Sequence, residues 1–170
     1  MSSHIRVLTL LCNLLLATAL LLLPSIALAA GYGRAISLES ARKVAVAAAD
    51  EARRSGFSMA IAIVDSSGNL VYFEKMDDTQ VASIEVALGK ARSANNFRRP
   101  TKALEDAVNG GRNSILGMPG AVPIEGGIPL TENGRVIGAI GVSGGTSQQD
   151  GTVASAGVKA LETLPTKNPK

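Results

Sequence analysis

Residues Gly126 to Asp150 set the frame that the rest of the chain has to fit. They read as strand, two-residue turn, strand, glycine loop and helix start. Ile128-Pro129-Leu130 is a short apolar run. Asn133-Gly134 is a strong hairpin signal, because both residues tolerate the positive φ of a type I′ turn. Val136 to Val142 is apolar or glycine throughout, the pattern of a strand covered on both faces. Gly138 and Gly141 leave little side chain there, so a helix or a ligand can come close to the backbone. Ser143-Gly144-Gly145 then breaks the strand, and Thr146 with Gln149 has the spacing of a capping box.

The other elements follow from periodicity. Ser37 caps a predicted helix to about Ser55, with Ala41, Val44, Ala45, Ala48 and Ala52 as a narrow buried stripe. Ser58–Asp65 and Leu70–Met76 read as two strands around the Ser66-Ser67-Gly68-Asn69 turn, with Asp65 in an Asx turn. Asp77-Asp78-Thr79 can cap a helix over Val81–Phe97, with Val81, Ile84, Ala87, Leu88, Ala91 and Ala94 as its stripe. Pro100 stops that helix, and Thr101 is placed to cap a third one to about Asn109. Val122-Pro123-Ile124 reads as a short edge strand. A last helix runs from about Ser147 to Leu164, with Gly157 marking a close contact. The order predicts an α/β sandwich with a mainly antiparallel sheet of about five strands and flanking helices.

Met1 to about Ala30 reads as an export signal. Arg6 precedes an apolar run from Val7 to Leu23, Pro24-Ser25 breaks it, and Ala27-Leu28-Ala29 matches a small-x-small cleavage site. An uncleaved anchor is the competing reading, because the run approaches a membrane span in length. Cleavage after Ala29 or Ala30 leaves residues 31–36 as a linker, 37–164 as the domain and 165–170 as a polar tail. The expected location is periplasmic or secreted, with no membrane contact once the leader is gone.

The only histidine and the only cysteine, His4 and Cys12, both lie in that leader. The processed chain would have no disulfide, no Cys/His zinc site, no thiol nucleophile and no histidine base. No metal site is expected. Removing Arg6 takes the 17 basic residues to 16 against 14 acids, a net charge of +2. That balance, with no Trp, offers neither the field nor the stacking platform expected of a nucleic-acid binder.

Several residue groups could carry chemistry. Lys90, Arg92, Arg98 and Arg99 gather at one helix end around Phe97, a combination suited to an amphipathic anion. The same cations would also complement the helix dipole and aid solubility. Gly144-Gly145-Thr146-Ser147 could hold an anion at a helix start, or simply cap it. Glu74, Asp77, Asp78, Glu125 and Asp150 would form a carboxylate pair only if two of them converged on a pocket.

Taken together, these segments resemble the HbpS-like or GlcG family of haem-binding and glycolate-operon proteins, which also occurs as the C-terminal domain of some cobalamin adenosyltransferases. The resemblance rests on Leu38–Ala49, Ile61–Asp65 with Gly68-Asn69-Leu70, Lys90-Ala91, Phe97 with Pro100-Thr101, Gly126–Leu130, Gly138–Gly144 and Gln149-Asp150. It spans about Ile36 to Leu161. It implies a profilin-like fold, homo-oligomers and binding of haem or a related tetrapyrrole. It also implies that a threonine contacts the haem, for which Thr101 and Ser93 are the candidates. Lys90, Arg92, Arg98 and Arg99 would then pair with the propionates and Phe97 would pack on the ring. Iron coordination would be weak, through a hydroxyl, Met118, Tyr72 or water. An enzyme acting on a small carboxylate, and an oligomeric interaction module, are the alternatives; no catalytic residue is assigned.

Overall fold

The computed structural model describes residues 31–163; the leader over 1–30 and the tail over 164–170 lie outside the described residues. The elements are α1 (Leu38–Arg54), β1 (Ala60–Asp65), β2 (Leu70–Lys75), α2 (Ser83–Phe97), α3 (Thr101–Asn109), a 3-10 turn (Asn113–Gly117), β3 (Gly127–Glu132), β4 (Arg135–Ser143) and α4 (Ser147–Glu162). The sheet has the order β2-β1-β4-β3 with every neighbouring pair antiparallel. The expected α/β sandwich is observed, with four strands rather than about five.

Its two faces differ in side-chain size. Ile61, Ile63, Ile140 and Val142 point to one side, where they pack with Val44 and Ala48 of α1 and Val153 of α4. Ala60, Ala62, Val64 and Ala139 point to the other, against Ala87, Ala91 and Ala94 of α2. Short side chains on both partners bring α2 almost onto the strands. A Cβ added at Gly141 would lie 2.0 Å from the Ala87 carbonyl oxygen and 2.5 Å from the Ala91 nitrogen. Gly157 similarly faces the Val44 carbonyl across the α1–α4 contact, at 2.9 Å from an added Cβ. All the buried apolar residues of the two clusters lie between Ile36 and Ala154.

The local signals account for most of the turns. Asn133 (φ 50) and Gly134 (φ 71) make the β3–β4 turn. Asp65 Oδ1 accepts from the Ser67 and Asn69 N–H groups at 2.8 and 2.9 Å, closing the Asx turn. Ser37 caps α1, and Thr146 with Gln149 forms the capping box of α4.

Four expectations are corrected. Helix α2 starts at Ser83, and Val81 is 84 % exposed; its buried stripe instead takes in Ser83, Lys90, Ser93 and Asn95. Asp77 and Asp78 do not cap it, because the position before Ser83 is Ala82, with no side-chain cap. Val122-Pro123-Ile124 pairs with no strand; the Val122 N–H donates to Ser93 Oγ instead. The supposed linker is docked: Gly33 N–H donates to the Val136 carbonyl, Val136 N–H to that of Gly31, and Ile36 N–H to that of Ile137. This arm runs parallel to β4 beside Val136, in the track that β1 leaves at Asp65.

Candidate functional site

The structure divides the sequence-predicted residues into an interior set and a surface set. Lys90 leaves the basic cluster altogether. Its ammonium is buried and donates to Asp150 Oδ2 at 2.7 Å and to the Val142 carbonyl at 3.1 Å. Asp150 also accepts from the Gly145 N–H at 3.0 Å. Burial pushes the Asp150 carboxyl up, while Lys90 and the Gly145 and Gly144 N–H groups pull it down. The pair joins α2, on one face of the sheet, to the start of α4, on the other. Gly126 roofs it: an added Cβ would meet Asp150 Cβ and the Val142 oxygen at 2.8 Å and Lys90 Nζ at 2.9 Å.

Thr101 and Ser93 are interior as well. Thr101 does not cap α3; Pro100 holds that position. The Thr101 hydroxyl accepts from the Gly127 N–H at 2.9 Å and lies 3.4 Å from the Gly127 carbonyl oxygen. Both residues are fully buried, and their hydroxyls already serve the backbone of β3 and of the Val122 loop.

The surface set stands around the last turns of α2. Arg92, Arg98 and Arg99 are exposed and Phe97 is half-buried between them in sequence. Arg92 Nε donates to the Gly68 carbonyl at 3.3 Å, and Arg99 Nε to that of Phe97 at 3.2 Å. The Arg98 guanidinium lies 5.5 Å from the centroid of the Tyr32 ring. The Val122–Ser93 bond holds Val122 on the flank of α2, whereas the 3-10 turn that carries Leu116 (64 % exposed) packs on α3, with Met118 (38 %) just after it. Tyr32 was not singled out from the sequence. The arm that carries it offered no periodicity, and only its docking on β4 brings the ring to α2.

The remaining groups go elsewhere. The N–H of Gly145 is taken by Asp150 and that of Thr146 by Gln149 Oε1, so this helix start is closed by its own side chains. Glu74 accepts from Arg53 and Tyr72 on β2, whereas the Glu125 side chain packs against Gly151 of α4. Among the described residues no three His, Cys, Asp or Glu side chains form a metal-binding group. A separate cleft of about 460 Å³ lies between the arm, the β3–β4 hairpin and the end of α4, floored by Ile36, Ile137 and Leu161.

The four-stranded antiparallel sheet lies between α1/α4 and α2, which makes the domain an α/β sandwich with an arginine-rich surface at one helix end. The chain matches the family model described as "Haem degrading protein HbpS-like" over residues 36–159, and it belongs to that family. It is 37 % identical over 108 residues to protein GlcG of Escherichia coli K12, covering 64 % of this chain and 81 % of GlcG. The crystal structure of HbpS is similar with a TM-score of 0.71 and 31 % identity, covering 76 % of this chain and 92 % of HbpS. A crystal structure of a PduOC:heme complex is similar with a TM-score of 0.68 and 30 % identity, covering 74 % of this chain and 94 % of that one.

Proposed function

We propose that this protein binds haem or a related tetrapyrrole at the surface around the end of α2, as an exported carrier or haem-handling protein that works as a homo-oligomer. The observation that carries this reading is the likeness, at 30 % identity and over 94 % of the other chain's length, to a chain whose structure is a haem complex. The chemistry of the surface agrees with it. A tetrapyrrole offers two carboxylates and a broad apolar face. Arg92, Arg98 and Arg99 supply charge-assisted donors for the first; the half-buried Phe97 supplies contact area for the second. The donor set fits the iron less well, since residues 31–170 contain no His or Cys and the Thr101 hydroxyl is occupied within the fold. When bound, haem would supply an iron centre and a chromophore; the chain's own residues hold its edge and cover one face. Export is supported by the apolar leader with its Ala27-Leu28-Ala29 site.

The test is a hemin titration of residues 31–170, followed at the Soret band with albumin as competitor. A saturable, stoichiometric shift that survives competition is expected. The Arg92→Ala/Arg98→Ala double variant is expected to bind about ten-fold more weakly, the loss of about 1.4 kcal/mol across two partly solvated charge contacts. A linear signal that albumin abolishes would overturn the haem reading, and unchanged affinity in the double variant would move the site elsewhere. For export, mass analysis of the protein recovered outside the cytoplasm should show a chain starting at Ala30 or Gly31.

A further inference from the structure

Arg98 ends α2 in the left-handed region, with φ 51 and ψ 41. Helices usually place glycine in that conformation, because a Cβ is disfavoured there. Arg98 carries a full side chain in that conformation. That side chain reaches Tyr32 on the docked arm, with the guanidinium 5.5 Å from the ring centroid. Tyr32 is held at both ends. Its hydroxyl donates to the Asn95 carbonyl at 3.0 Å and lies 3.3 Å from that of Asn96. Its backbone neighbours Gly31 and Gly33 hydrogen-bond to Val136. Yet the residue remains 43 % exposed. An aromatic ring fixed in orientation, with the Arg98 guanidinium over it and part of its surface still open to solvent, offers contact area at little further entropic cost.

We propose that Tyr32 is a binding residue of the ligand surface, its ring forming with the Arg98 guanidinium a platform for one apolar face and one carboxylate of a tetrapyrrole. This rests on the haem reading above and adds a residue and a location to it. The ligand ring packs on the part of the Tyr32 ring that the guanidinium leaves open, a propionate pairs with Arg98, and no covalent step is involved. The 460 Å³ cleft is less suited to a ligand with two carboxylates: Glu39, Glu132 and Glu162 outnumber its cations Arg34 and Lys43.

The experiment is an NMR titration of isotope-labelled residues 31–170 with zinc protoporphyrin IX, which is diamagnetic and carries the same two propionates. The largest ring-current shifts are expected at Tyr32, Phe97 and Arg98. Tyr32→Ala should bind about ten-fold more weakly, while Tyr32→Phe, which keeps the ring, should stay within about three-fold of the parent. Arg98→Gly should weaken binding while its thermal midpoint holds or rises, which separates a binding role from a structural one. Saturable shifts centred instead on Ile36 and Leu161, or parent-like affinity in Tyr32→Ala, would overturn the platform and leave the haem reading standing. No saturable shift at any residue would overturn both.

Discussion

Asp150→Ala should destabilise the fold by about 3–5 kcal/mol, because it leaves the Lys90 ammonium buried without a counter-charge. The two side chains are only 1 % and 3 % exposed and 2.7 Å apart, so bulk solvent does not screen the charge left behind. Lys90→Met removes the other partner and should also destabilise, leaving Asp150 with the Gly145 N–H. The pair is best tested as a cycle. The Lys90→Met/Asp150→Ala double variant should cost less than the two singles together, by about 1–3 kcal/mol, since it buries no lone charge. Urea unfolding of the four proteins, with equal m-values, gives the coupling directly. Additivity within about 0.5 kcal/mol would mean that the two charges are not energetically joined.

Gly141→Ala is expected to be among the most costly additions of a single methyl group to the described residues. Its Cβ would meet the backbone of α2 at Ala87 and Ala91, at 2.0 and 2.5 Å. A side chain can rotate out of the way, but a helix backbone cannot, so α2 must lift off the sheet. Overpacking of this kind costs about 1–3 kcal/mol where neighbours can yield, and the upper end applies here. Gly117→Ala is the matched control. Nothing lies within 4 Å of its added Cβ, and its unfolding midpoint should barely move. An equal, small effect in both variants would refute the close helix–strand contact.

Much of this architecture was legible from periodicity and turn chemistry. The buried stripe of α1, the Asn133-Gly134 turn, the Asp65 turn and the Thr146–Gln149 box are local features, set by residues a few positions apart. The candidate site was only partly legible, for the opposite reason. Lys90, Arg92, Arg98 and Arg99 look alike in sequence, and only the 60-residue separation bridged between Lys90 and Asp150 shows that one of the four belongs to the interior. Thr101 follows Pro100 as a capping residue would, yet its hydroxyl is drawn across to Gly127, 26 residues away. Tyr32 gave no signal, since Gly-Tyr-Gly has no period; its position depends on a strand more than 100 residues later. The missing fifth strand has the same origin: Val122-Pro123-Ile124 is apolar enough for a strand but is held by Ser93 on a helix.

The docked arm has a consequence for how the protein is handled. Tyr32 is the second of the described residues, and it sits on the end of α2 beside Arg98. A polyhistidine purification tag fused at Gly31 would therefore be tethered within a few residues of the arginine-rich surface. Imidazole is a good axial ligand for haem iron, and residues 31–170 have none of their own. Such a tag would supply the imidazole that residues 31–170 lack, and the spectrum and affinity of the tagged protein would include the tag's own coordination.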